Sequence, residues 1–193
     1  MHIAHIIPSI ALSLGFALSS TAVQAADTYT VDPVHTAALF KIKNLGVSYT
    51  YGRFNDVSGT VAFDAANPAA SKVDITIQAG SVDTFNQKRD AHLANPDFFD
   101  AKQFPVLKFV STAFKKVDDN TFDVTGDFTL HGVTKPITIK AVKIGEGKDP
   151  WGGYRIGFES TFTIKRSDFG MTKMMEAVGD DVTVTFSTEG IKK

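Results

Sequence analysis

From Val57 to Ser187 this sequence repeatedly alternates apolar and polar residues with a period of two, and few folds tolerate that pattern. Val57, Gly59, Val61 and Phe63 alternate with Ser58, Thr60, Ala62 and Asp64; Val73, Ile75 and Ile77 alternate with Asp74, Thr76 and Gln78. Phe122, Val124, Gly126, Phe128 and Leu130 stand against Asp123, Thr125, Asp127, Thr129 and His131. Tyr154, Ile156, Phe158, Ser160, Phe162 and Ile164 face away from Arg155, Gly157, Glu159, Thr161, Thr163 and Lys165, and Val182, Val184 and Phe186 close the series. Side chains of a strand point alternately to opposite faces, so each run has one apolar and one polar face. Such runs build antiparallel sheets with one side on a core.

Turn-forming clusters separate the runs: Asn67-Pro68, Asp118-Asp119-Asn120, Gly145-Glu146-Gly147 and Asp149-Pro150-Trp151-Gly152-Gly153. The spacing leaves room for about eight strands. A sandwich or a barrel satisfies the pattern, and closure into a barrel removes the exposed edges. Gly59 and Gly126, each in an Asp-Val-Ser/Thr-Gly context, are expected where strands bend. Asn86 to Lys102 is the one helical candidate, cut short by Asn95-Pro96, and a non-strand insertion in a barrel belongs over one opening. The expected fold is therefore all-β: a single eight-stranded antiparallel barrel with a short helical insertion.

Composition narrows the function. Twenty Lys and Arg against 21 Asp and Glu, a formal charge of -1, give no broad basic surface for nucleic acid. The absence of cysteine removes disulfides and thiolate chemistry. There are 16 Phe but only 4 Tyr and 1 Trp, so the aromatic surface is almost wholly without polar handles. One Trp and four Tyr are too few for the two aromatic girdles of a transmembrane barrel, and the outward faces carry charges. All charged residues lie beyond position 26, after an apolar run (Ile10 to Ala17) and a small-residue stretch ending Val23-Gln24-Ala25. That pattern is expected for a signal peptide at 1–25, cleaved after Ala25, with a barrel domain over 26–193. The apolar run is too short to span a bilayer, so stable membrane insertion is not expected.

The candidate ligand surface is the apolar strand face: Phe40, Val61, Phe63, Ile75, Phe109, Phe128, Phe158, Phe162 and Phe186, with Phe98 and Phe99 facing the cavity from the insertion. A dry, Phe-lined interior suits an apolar ligand better than a polar active site. Arg89 can fork onto an anionic head group, with His92 beside it, unless Arg89 pairs with Asp90 or a neighbouring acid. His131 is expected on the polar face of its strand. His35, His92 and His131 are too scattered for a ligand motif, and no metal or cofactor is expected. Met171, Met174 and Met175 suit adaptable packing at a pocket lip better than copper binding. The chain carries no nucleophile-elbow, phosphate-loop or dinucleotide motif.

Several segments, in order, resemble the YceI-like family of periplasmic polyisoprenoid-binding proteins. They are Tyr29-Thr30-Val31-Asp32-Pro33-Val34-His35, Leu45-Gly46-Val47-Ser48 with Gly52-Arg53-Phe54, Ser81-Val82-Asp83-Thr84, and Arg89-Asp90-Ala91-His92-Leu93 followed by Asp97-Phe98-Phe99-Asp100 and Phe104-Pro105. Thr129 to Pro136, Arg166-Ser167-Asp168-Phe169-Gly170 and Val178-Gly179-Asp180-Asp181-Val182 complete them. The resemblance implies a lipocalin-like barrel holding a long-chain isoprenoid lipid, of polyprenyl phosphate or quinone type, in the periplasm and without catalysis. Asn44 stands where the family commonly has His. An enzyme acting on such a lipid through Arg89, Asp90 and His92 is the rival reading, and a stress-related structural module a third. Monomer and homodimer both remain compatible with the sequence.

N-terminal sequencing of the protein from an envelope fraction is expected to return Ala26 as the first residue. Met1 intact on membrane-bound material would overturn the expected export.

Overall fold

The computed structural model describes residues 26–193, so the expected signal peptide lies outside the described residues. The strands are β1 (Asp27–Val31), β2 (Ala37–Asn44), β3 (Ser48–Phe54), β4 (Val57–Phe63), β5 (Lys72–Gln78), β6 (Val82–Asp83), β7 (Val106–Lys116), β8 (Thr121–Leu130), β9 (Val133–Lys148), β10 (Tyr154–Lys165) and β11 (Val178–Lys192). One helix, α1 (Gln87–Leu93), lies between β6 and β7. Every pairing is antiparallel, and β1 pairs with both β4 and β11, which closes the sheet. The closed ring is β1-β4-β5-β7-β8-β9-β10-β11. The other three strands extend staves of the ring: β2 follows β1 and pairs with β11, β3 precedes β4 and pairs with β2, and β6 follows β5 and pairs with β3. The molecule is thus an eight-staved antiparallel barrel with three broken staves.

The first break is Asp32-Pro33-Val34-His35. Pro33 opens a single 3-10 turn, and the Asp32 carboxylate caps it by accepting from the Val34 amide at 3.0 Å. Asp32 also meets His35 Nδ1 at 2.9 Å and Arg155 Nη1 at 2.8 Å. Arg155 binds Asp149 at 2.8 Å and Glu189 as well, so one guanidinium joins β1, β10, β11 and the β9–β10 turn. The bonds from His35 and then Arg155 hold the Asp32 carboxyl down at about 2. The second and third breaks are stitched to each other. Ser81 Oγ accepts from the Asp56 amide at 3.1 Å and donates to the Gln78 carbonyl at 2.7 Å.

The breaks lie elsewhere than at Gly59, which stays inside β4 with φ 152° and no room for a Cβ, since one built there would overlap the Asp74 carbonyl oxygen. Gly126 lies beside a bulge in β7 between Ser111 and Ala113, and its missing Cβ makes room for a ring: a Cβ there would stand 2.6 Å from Phe109 Cζ. The outer face is polar, as the alternation requires. Cross-strand threonine pairs (Thr125–Thr138 and Thr129–Thr134, each at 2.8 Å) and the Lys140–Asp123 ion pair at 2.8 Å line it. Among the described residues no helix is long and apolar enough to cross a membrane.

Asp32→Ala is expected to cost about 2 kcal/mol at neutral pH, from the lost cap and charged hydrogen bonds. A carboxyl held below its ordinary value stabilises the fold fully above that value and ceases to do so as pH falls through its folded value. Urea titrations should therefore show the gap between wild type and variant shrinking from about pH 4 to about pH 2.

Candidate functional site

Burial along the inward face is uneven, and that gradient locates the site. On β10, Ile156 is 1% exposed and Phe158 is buried, whereas Phe162 and Ile164 further along the same face are only half-buried. On β11 the inward Val182, Val184 and Phe186 are half-buried too. One end of the barrel is packed solid. There Phe63 meets Phe122 and Phe158 edge-on, each with ring centroids 5.4 Å apart, beside buried Tyr29 and Phe114. Toward the other end the side chains stop short of the axis and leave a cavity of about 370 Å³. That volume falls within the range of small-molecule sites, on the order of 300–1,000 Å³.

All the proposed apolar contacts line this cavity except Phe63. Phe63 faces inward as expected but lies in the packed end, with Lys143 Nζ 5.6 Å from its ring centroid. Alternation selects a face and says nothing of height along the axis, which is why Phe63 and Phe158 look alike in sequence. Gly52 shapes the wall: a Cβ there would clash with the Phe40 ring and with Thr84. The insertion contributes Leu93, buried Phe98 and half-buried Phe99, whose ring meets Phe54 edge-on with centroids 5.4 Å apart.

Polar groups collect at the open end. Arg89 Nε donates to Thr84 Oγ1 and Arg89 Nη2 to the Thr84 carbonyl, both at 2.7 Å. Among the described residues it forms no ion pair with a carboxylate. Asp90 is engaged elsewhere, accepting from the Thr84 amide at 2.8 Å and from the Thr84 hydroxyl. His92 also lines the cavity and meets Asp97 at 3.2 Å; Asp97 in turn holds Lys173 at 3.4 Å, tying α1 to the segment before β11. Lys43, Arg89 and Arg166 bring three cations to the wall, against Glu159 as its one acid.

Arg166 was not among the sequence candidates. It is 3% exposed, and its guanidinium donates to four carbonyls, those of Met171, Lys173, Val178 and Gly179, at 2.7–2.9 Å. Burial without a carboxylate partner pulls its pKa below the usual arginine value. The residue fixes the loop carrying Met171 and Met174, both of which line the cavity. Its position after the last inward residues of β10 was visible in sequence; its partners, all main-chain atoms, were not. Ser160 Oγ is buried in the wall without a hydrogen-bond partner among the described residues, an arrangement costing about 1–3 kcal/mol.

The histidines stand apart. His35 is at the Asp32 break, His92 is at the mouth, and His131 is not on a strand face at all. His131 opens a two-residue turn with φ 51°, its Nδ1 lies 3.1 Å from the Phe169 carbonyl, and its ring packs against Phe104. The hairpin ends the alternation at Leu130, one residue before the sequence pattern stops. Among the described residues the one cluster of three potential metal ligands is Asp32, His35 and Glu189, and Arg155 already supplies its cation.

The YceI-like domain family model matches residues 29–190, nearly the whole described barrel. The chain belongs to the YceI-like family. A UPF0312 protein of Ectopseudomonas mendocina is 48% identical over 185 residues, covering 95% of this chain and 96% of the relative. A UPF0312 protein of Pseudomonas aeruginosa is 46% identical over the same shares. Among solved structures, the Campylobacter jejuni YCEI protein is 33% identical with a TM-score of 0.71, covering 95% of this chain and 99% of its own. Burkholderia cenocepacia BcnA is 28% identical with a TM-score of 0.76, covering 82% and 98%. A polyisoprenoid-binding domain from Saccharophagus degradans shares the fold at 17% identity, with a TM-score of 0.68 over 88% of this chain and 100% of that domain.

Arg166→Met is expected to cost about 3 kcal/mol by leaving four carbonyls without their charged donor. Amide exchange should accelerate first between Met171 and Gly179, ahead of the barrel strands.

Proposed function

We propose that this member of the YceI-like family is an exported, non-catalytic carrier or scavenger of a long-chain isoprenoid lipid. The observation that carries this reading is an apolar cavity, closed at its Phe63 end, whose cations gather at its open end. The fold shared with the polyisoprenoid-binding domain of Saccharophagus degradans supports it. Burying one isoprene unit contributes roughly 3 kcal/mol gross, at about 0.8 kcal/mol per CH₂-sized group. A few units therefore exceed association and ordering costs, and the tail sets the affinity.

The head group stays at the mouth. Arg89 has its Nη1 hydrogens free of the Thr84 contacts and among the described residues forms no ion pair with a carboxylate, which suits a phosphate. The rival enzyme reading needs Asp90 and His92 as acid and base on a common point. Asp90 instead serves Thr84, and His92 serves Asp97, so the geometry favours binding.

Native mass spectrometry with lipid extraction tests the proposal. A co-purifying prenyl lipid near one per chain is expected, without turnover. Phe162→Asp should weaken a polyprenyl phosphate and a quinone of equal tail alike, while outward Thr163→Asp should spare both. Arg89→Ala should weaken only the phosphate, by about 1.5–3 kcal/mol. Equal effects of Arg89→Ala on the two lipids would remove Arg89 from the site, and failure to bind either lipid would overturn the carrier.

A further inference from the structure

Among the described residues five non-glycine residues have positive φ: Leu45 (51°), Phe85 (63°), Asp100 (45°), His131 (51°) and Met174 (57°). Asp and His enter that region at small cost, but a large apolar residue there strains the backbone. The three apolar ones are also exposed, at 64% for Leu45, 76% for Phe85 and 46% for Met174. Each thus leaves apolar surface in water at a backbone conformation that Asn or Gly adopts with less strain. Observed strain of this kind points toward function.

All three border the mouth of the cavity. Leu45 follows Asn44, Phe85 follows Thr84, and Asn44, Thr84 and Met174 themselves line the wall. Leu45 N donates to the Ala177 carbonyl at 2.7 Å, so the β2–β3 hairpin and the Met174 segment form a single lip, on which Val47 is 83% exposed. The same segments carry Lys41, Lys43, Lys88, Arg89 and Lys173 against Asp90, Asp97 and Glu176, an excess of two positive charges on a chain whose formal charge is -1. Asp83 nearby is already engaged by Arg53.

We propose that this rim is a docking surface for a bilayer with anionic head groups. Apolar tips set among cations match the layering of a membrane interface, where the tips enter the acyl boundary and the cations meet lipid phosphates. Docking there would let a lipid move between bilayer and cavity without its tail crossing water. This purpose rests on the carrier reading above, but the surface itself is tested independently of it.

The test compares wild type with the double variant Leu45→Asn, Phe85→Asn, both prepared from the same envelope fraction. Asparagine suits positive φ, and neither residue lines the cavity. Sedimentation uses vesicles of phosphatidylcholine with and without one-quarter phosphatidylglycerol, free of isoprenoid. Wild type should bind the anionic vesicles more tightly, less so in high salt, and the variant should bind them roughly tenfold more weakly. The thermal midpoint of the variant should stay level or rise, and both forms should take up polyprenyl phosphate equally from detergent micelles. Equal sedimentation of the two forms, or none by wild type, overturns the docking surface and leaves the tips to a protein partner. Wild type that sediments but takes up no lipid from micelles supports the surface and overturns the carrier instead.

Discussion

A strand whose main-chain groups lack a neighbour on either side leaves amides and carbonyls open to pairing with another chain, and the architecture here follows from meeting that demand. The ring closes because β1 pairs with β4 on one side and β11 on the other. Closing eight twisted strands requires changes of direction, and the chain takes three of them as breaks in its staves. Each break needs substitutes for the ladder bonds it forfeits. Asp32 with Arg155 supplies them at the first, and Ser81 supplies them at the other two.

The ring also creates a volume that must be filled or kept dry. Toward one end Phe63, Phe122 and Ile156 fill it and are buried. Toward the other, the inward residues line a space and leave its centre to something else. An empty apolar space forgoes packing contacts, and the unpartnered hydroxyl of Ser160 adds to the deficit. The barrel accepts that deficit where Arg166 and the Asp97 contacts brace its rim.

Most of this fold was legible in the sequence because period two reports a face directly. The alternation assigns the inward side of β4, β5, β8, β10 and β11 without reference to anything distant. What it cannot report is position along the axis, so Phe63 looked like a ligand contact and proved to be packed floor. It also runs past the true end of a strand when a turn residue happens to be polar, as at His131. Arg89 and Asp90 were visible as neighbours, yet their shared attention to Thr84, and not to each other, depends on a loop conformation that adjacency does not encode. Arg166 was illegible for a related reason: its partners are carbonyls, which every residue has.

The solid floor beneath Phe158 has a kinetic meaning. A tunnel open at both ends could be cleared by pushing, with an incoming molecule displacing the resident from behind. A well with one door admits no such exchange: the occupant must leave before a successor can enter. Turnover of the bound molecule is then governed by its own departure, and a crowd of competitors outside changes which molecule enters next, not how soon the place falls vacant.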